Sequence, residues 1–203
     1  MKILNLYAGI GGNRRDWPAE VRVTAIELNP YIGHVYQTFF PQDKLLVCDA
    51  HQYLIDYYKE FDFIWSSPPC QSHSKMRLIG SKSGQYPPIM PDMSLYEEIM
   101  FLQHYADVPW VVENVKPYYK PLIEPTQIIG RNYFWSNFEI PPMDFEDELH
   151  NDRGSPLNTS VFDLTTMKIK HRKDQLLRNC VDPKIGEYIL NLAIIKGESG
   201  NTG

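Results

Sequence analysis

Apolar positions along the chain fall into short continuous runs that alternate with stretches of helical spacing, and this alternation predicts a mostly parallel sheet with helices on its faces. Lys2 to Ala8 (KILNLYA) is the first run and ends at glycines. Val21 to Leu28 (VRVTAIEL), Lys44 to Cys48 (KLLVC), Phe61 to Trp65 (FDFIW) and Trp110 to Val115 (WVVENV) continue the series. Between them, Pro30 to Phe40 opens with a proline suited to a first helical turn. Ala50 to Phe61 places Leu54, Tyr57, Tyr58 and Phe61 at helical spacing, and Met93 to Ala106 reads as an amphipathic helix with Met93, Met100, Phe101 and Leu102 in the core. Gln127 to Ile140 predicts one or two further strands. Pro183 to Lys196 carries a stripe of Ile185, Tyr188, Ile189, Leu192 and Ile195. The order indicates an α/β, doubly wound, Rossmann-like fold. A single domain over residues 1 to 196 is expected, with a polar, disordered tail from Gly197.

The candidate chemistry gathers where the runs end. Phe61 to Trp65 leads through Ser66 and Ser67 into Pro68, Pro69 and Cys70. Two prolines stop the ladder and hold the chain extended, which puts Cys70 at the carboxyl edge of the sheet, where open α/β folds bind ligands. A nucleophilic thiol and an inert buried one both stay open for Cys70. Gly9, Gly11 and Gly12 follow the first run and allow the backbone close to a cofactor, although a tight turn has the same need. Glu27 ends the second run, placed either to accept a ribose diol or simply to be solvated. Asp49 ends the third, as a ligand, a helix cap, or both. Glu113 follows the apolar Val111 and Val112; it is either ion-paired or a carboxyl with raised pKa that can donate a proton. Gln71 to Asp92 has no periodicity and carries Lys75, Arg77 and Lys82 against Asp92 alone, the composition of a lid over a polyanion or of a solvated loop.

Composition narrows the class. The 203 residues are 43% hydrophobic, enough for one substantial core. No stretch has the length of a membrane span or the pattern of a secretion leader, so a cytoplasmic protein, bacterial or from a phage-infected host, is expected. Cys48, Cys70 and Cys180 lack the spacing of a zinc site or a disulfide framework. A net charge of −5 argues against general attraction to nucleic acid but leaves room for a local basic face, such as Lys168 to Arg178. Asp144 to Asp152, with five acids, reads as a solvated segment.

Taken together, LYAGIGG, AIELNP, VCDAH, SSPPCQ and VVENV, in this order and spacing, resemble the DNA cytosine-5 methyltransferases, in the size range of phage members. The resemblance covers residues 3 to about 140 and resumes near Asn179 to Leu190. It implies S-adenosylmethionine as cofactor, double-stranded DNA as partner, and transfer of a methyl group to carbon-5 of a flipped cytosine through a cysteine adduct. Cys70 would be the nucleophile and Glu113 the carboxyl group that protonates the base, steadied by Arg131. Tyr7, Ala8, Gly9, Ile10, Gly11 and Gly12 would meet the methionine part of the cofactor. Glu27 and Leu28 would hold its ribose, and Asp49 and Ala50 its adenine. Pro69, Asn179 and Val181 would complete that pocket. Gln71, Ser74, Lys75, Arg77 and Lys82 would approach nucleic acid.

Three departures accompany the resemblance. Tyr7 stands where phenylalanine is usual, and Ile129 where the first of two arginines is common. The span from 141 to 178, where the family carries its target-recognition region, is short. Either the chain then reads very little sequence, or a partner protein or a second copy of the chain supplies recognition. RNA as substrate, or a non-catalytic subunit of a methyltransferase complex, are the alternatives.

Overall fold

The computed structural model describes residues 1–145, 161–167 and 169–200. Seven strands form one sheet: β1 (Lys2–Leu6), β2 (Arg22–Ile26), β3 (Lys44–Leu46), β4 (Phe63–Ser66), β5 (Trp110–Val115), β6 (Gln127–Ile129) and β7 (Asn132–Ser136). Their spatial order is β3-β2-β1-β4-β5-β7-β6. The first five are parallel, whereas β7 runs antiparallel to β5 and pairs with β6 as a hairpin. The helices are α1 (Pro30–Phe39), α2 (Ala50–Tyr57) with a following 3-10 turn Tyr58–Glu60, α3 (Lys75–Lys82), α4 (Ser94–Tyr105), α5 (Lys173–Arg178) and α6 (Pro183–Gly200). This is the doubly wound α/β architecture expected from the alternation of runs.

The period of two along each strand divides the core. Ile3, Trp65, Val111 and Phe134 pack on one face with Ile185, Ile189 and Leu190 of α6. Leu4, Leu6, Ile64 and Val112 pack on the other with Leu54 of α2 and Leu95, Ile99 and Leu102 of α4. Beneath the loop after β1, Arg14 is only 2% exposed. It forms a two-pronged pair with Asp43, Nε to Oδ2 at 2.9 Å and Nη2 to Oδ1 at 3.2 Å, and Asp43 accepts a third bond from the Tyr36 hydroxyl at 2.7 Å. Removing one partner strands the other charge in the interior. Asp43→Ala is therefore expected to cost about 3 to 5 kcal/mol, read as a lowered urea midpoint at an unchanged slope.

Several expectations are corrected. The stretch from Gln71 to Asp92 is not without structure: α3 forms within it, capped by Ser74, whose hydroxyl accepts from the Arg77 N–H at 3.2 Å. Gly80 is its only buried residue, so no apolar stripe marks it in the sequence. On α4 the buried face is Leu95, Tyr96, Glu98, Ile99 and Leu102, while Met93 and Met100 are exposed. The polar tail does not begin at Gly197, because α6 continues to Gly200, and Ile195 on the expected stripe is exposed. Most of the acidic segment, residues 146–152, lies outside the described residues, as does 153–160 of the short insert. No helix among the described residues is long and apolar enough to cross a membrane.

Candidate active site

Strand order reverses at β1 and β4, so the loops leaving their carboxyl ends diverge and open a crevice. A cavity of about 660 Å³ lies there, within the range of cofactor sites. One side is lined by Tyr7, Ala8, Gly9, Ile10 and Gly12 from the loop after β1, Glu27 and Leu28 after β2, and Asp49 and Ala50 at the start of α2. The other side is lined by Pro69, Cys70 and Gln71 after β4, Glu113 on β5, Arg131 between β6 and β7, and Asn179 and Val181 after α5. Gly11, expected to face a cofactor, instead packs inward. A Cβ there would fall 2.3 Å from the Phe40 ring, and the residue sits at φ +85°. Gly12 is needed for close approach of another kind, since its Cβ would meet the Val181 carbonyl at 2.5 Å. That contact is what brings the C-terminal segment back onto the first loop.

Ser74, Lys75, Arg77 and Lys82 do not line the cavity. Ser74 is occupied as the α3 cap, and the Arg77 guanidinium donates to the Pro87 carbonyl at 3.0 Å while lying 4.8 Å from the Tyr86 ring centre. Lys75 and Lys82 sit at the two ends of α3. In the basic stretch before residue 178, Asp174 pairs with Arg172 at 2.8 Å and with Arg178 at 3.6 Å.

The residues present fit S-adenosylmethionine. The Glu27 carboxylate accepts from the Gly9 N–H at 3.1 Å and the Asn29 N–H at 2.9 Å, one bond to each oxygen, so lone pairs remain for a diol. Burial raises its pKa, and these two backbone bonds oppose the rise. Asp49 caps α2 through Oδ1, which accepts from the Gln52 N–H at 2.8 Å; its Oδ2 has no hydrogen-bond partner among the described residues. Leu28 and Tyr31 line the same cavity yet are 66% and 51% exposed, apolar surfaces that a heterocycle would cover. Two uses of one residue, cap and ligand, thus remain compatible for Asp49.

The second half of the cavity holds the thiol and the acid. Ser66 pairs with Val112 across parallel β4 and β5, so the chain leaving β4 runs beside Glu113. The Asn114 amide donates to the Pro68 carbonyl at 2.9 Å and ties the diproline segment to β5. A turn closed by the His73 N–H on the Cys70 carbonyl at 3.1 Å follows. Cys70 is thereby half-buried on the cavity wall rather than sealed in the core. Burial, then the neighbouring Glu113, push its thiol up to about 11, and Arg131 opposes them. In the antiparallel β5–β7 pairing Glu113 stands opposite Phe134, two residues from Asn132 on the same face. Asn132 Nδ2 accordingly donates to Glu113 Oε1. Burial dominates and raises the Glu113 pKa, against hydrogen bonds from Asn132 and Ser67 and the charge of Arg131. Arg131 itself donates to the carbonyls of Arg178 and Cys180, so it joins the β6–β7 turn to the C-terminal segment as well as facing the two reactive groups.

Asn29, Asn114 and Asn132 were not singled out by the sequence. Their signal was weak, because an asparagine at a strand or helix end is ordinary punctuation until its partner is known. The other cysteines differ from Cys70: Cys180 is buried with Sγ donating to the Leu176 carbonyl at 3.3 Å, and Cys48 lies outside the cavity lining. With a pKa near 11, ionised Cys70 increases tenfold per pH unit through the neutral range. Its carbamidomethylation, followed by peptide mass spectrometry, is expected to accelerate tenfold per unit from pH 7 to 9.5. A plateau by pH 8.5 would contradict the raised pKa.

Comparison with known proteins adds to this geometry. The family described as C-5 cytosine-specific DNA methylase matches residues 1–116. The human tRNA (cytosine(38)-C(5))-methyltransferase is 32% identical over 83 residues, which cover 37% of this chain and 21% of that protein. The Spodoptera frugiperda protein of the same name is 36% identical over 81 residues, covering 36% of this chain and 24% of its own length. The chain thus aligns with about a quarter or less of these curated relatives. A solved structure of a Spodoptera frugiperda DNMT2 variant matches with a TM-score of 0.41 and 29% identity, over 57% of this chain and 35% of the other.

Proposed function

The chain belongs to the C-5 cytosine-specific DNA methylase family, and from that premise we propose that it methylates carbon-5 of a cytosine extruded from double-stranded DNA. The observation that carries the reading is the convergence of Cys70 and Glu113 on one cavity that also contains the Glu27 and glycine-loop half. S-adenosylmethionine is the cofactor, and when bound it supplies a methyl group on a sulfonium, activated toward a carbon nucleophile.

The chain's own residues supply the rest. Carbon-5 of cytosine is too weak a nucleophile unaided, so the Cys70 sulfur adds to carbon-6, and the ring electrons shift toward carbon-5. Glu113, whose hold on its proton is strengthened by burial, gives that proton to ring nitrogen-3 as the addition proceeds. Asn132 and Ser67 hold the carboxyl group in place, and Asn114 holds the loop that carries the sulfur. Carbon-5 takes the methyl group. A base from solvent then takes the carbon-5 proton as the bond between carbon-6 and sulfur breaks and frees the Cys70 thiolate, and nitrogen-3 returns its proton to the Glu113 carboxylate, which restores the aromatic ring. The thiol must give up its own proton first, which a pKa near 11 makes costly in the free protein. None of these atoms is reachable inside a duplex, so the base leaves the stack at a cost of roughly a few kcal/mol. Lys75 and Lys82 at the two ends of α3 offer phosphate contacts that offset this cost, whereas the Arg77 guanidinium is held by Pro87 and Tyr86. Because the recognition span is short, a partner protein or a second copy of the chain supplies sequence reading.

A second reading has specific support: the curated relatives act on tRNA cytosine, so structured RNA is the alternative substrate for the same chemistry. Duplex DNA and tRNA, each carrying 5-fluorocytosine, separate the two when incubated with the full chain and labelled cofactor. A denaturation-resistant adduct on DNA supports the proposal. An adduct on tRNA alone replaces it with the RNA reading, and no adduct on either overturns both.

A further inference from the structure

Three side chains, those of Tyr7, His51 and Ser66, meet at one buried carboxylate. Glu98 on α4 is fully buried, at 0% exposure. Its Oε1 accepts from the Tyr7 hydroxyl at 2.5 Å and lies 3.2 Å from His51 Nδ1, while its Oε2 accepts from the Ser66 hydroxyl at 2.5 Å. A buried carboxylate is costly unless it is well supplied with partners, and these three come from different elements. Tyr7 follows β1, Ser66 ends β4, and His51 lies in the first turn of α2. The loop after β1 and the start of α2 frame the cofactor half of the cavity, and β4 leads into the half that holds Cys70.

Tyr7 is the one non-glycine residue with positive φ, 55°, among the described residues. A bulky side chain holds that conformation only where its surroundings enforce it. The bond to Glu98 is the only side-chain hydrogen bond of Tyr7 among the described residues. Tyr7 lines the cavity beside Ala8 and Gly9, and its hydroxyl reaches Glu98 on α4. A phenylalanine at position 7 would leave that Glu98 oxygen without this donor. The hydroxyl and the carboxylate therefore act as a pair.

We propose that Glu98 is a positioning residue for the cofactor: through the Tyr7 hydroxyl it holds the turn after β1 in its left-handed conformation and so sets the Tyr7 ring as a wall of the cavity. This rests on the reading of that cavity as the S-adenosylmethionine site. A glutamate that merely anchored α4 to the sheet would influence folding and leave the ligand alone.

Calorimetric titration of the full chain with S-adenosylhomocysteine separates the two. Glu98→Met, similar in length but without an acceptor, and Tyr7→Phe are each expected to weaken binding about tenfold. Glu98→Gln, which keeps an acceptor for the hydroxyl, stays within about threefold, and the double variant Tyr7→Phe/Glu98→Met is at most about twofold worse than the weaker single variant. The proposal is overturned if Glu98→Met binds within twofold of the unaltered chain, or if the double variant shows the product of the single effects. Should Glu98→Met fail to fold, Tyr7→Phe decides by itself: weakened binding supports the pair, and unchanged binding ends it. Absence of binding by the unaltered chain overturns the cofactor reading and this inference with it. Binding by that chain which the variants do not change overturns this inference alone.

Discussion

Replacing Cys70 by serine is expected to lower methyl transfer by on the order of 10⁴-fold or more, with S-adenosylhomocysteine binding unchanged. The substitution removes one thing, a sulfur that can ionise and add to a conjugated ring. Serine has nearly the same shape, and Cys70 is half-buried at the end of a loop, so the fold has little to lose. The loop keeps its place through the Asn114 bond to the Pro68 carbonyl, which does not involve the sulfur. Single-turnover incorporation of labelled methyl, with the adduct scored on a denaturing gel, measures both rate and covalent capture. Residual activity above a few per cent would remove the sulfur from the mechanism.

Glu113→Gln is expected to slow transfer by about 10² to 10⁴-fold and, at alkaline pH, to stabilise the fold. The two effects share one cause. Burial raises the pKa of Glu113 above its ordinary value, so the folded protein favours the neutral acid. For a group whose pKa rises on folding, the stabilising contribution is complete below the unfolded-state value and is lost as pH climbs through the folded-state value. Wild-type protein therefore loses stability progressively from just above the ordinary carboxyl pKa, where the unfolded chain ionises first, until the buried carboxyl ionises too, and glutamine, which cannot ionise, does not. Glutamine keeps an oxygen for the Asn132 amide but carries no transferable proton. Urea midpoints of the two proteins are expected to lie close together at pH 4, below the ordinary carboxyl pKa, and to have separated at pH 9, with the variant higher. Equal midpoints at both pH values would mean that Glu113 is not held neutral by its surroundings.

The strands that are bounded best in the sequence are the central ones, buried on both faces. Trp110 to Val115 was bounded to the residue, because every position but the last is buried and the run is apolar up to its functional end. The hairpin of β6 and β7 was visible as apolar and aromatic residues around a glycine, although its antiparallel direction was not. Elements that bury little were illegible. α3 hides a single glycine and is specified by the Ser74 cap and by the Tyr86 and Pro87 contacts of Arg77, none of which has a periodicity. On α4 the fault was one of phase. Methionine hydropathy drew the stripe to Met93 and Met100, whereas Leu95, Glu98, Ile99 and Leu102 follow the helical spacing, with a carboxylate in the buried face that hydropathy alone would reject.

What the sequence determined by itself was local and directional. Glycines, prolines and β-branched runs dictate where strands stop, and a right-handed alternation of strand and helix leaves little choice of sheet. It followed that Cys70, Glu113, Glu27 and Asp49 would all be carried to one edge. Tertiary structure alone decided what each of them meets there. Antiparallel pairing brought Asn132 to Glu113, the return of the C-terminal segment set Arg131 on the carbonyls of Arg178 and Cys180, and α4 delivered Glu98 to Tyr7. The reason is range: backbone preference and burial pattern are written within a few residues, whereas the proton affinity of a thiol or an acid depends on whatever distant chain the fold places against it.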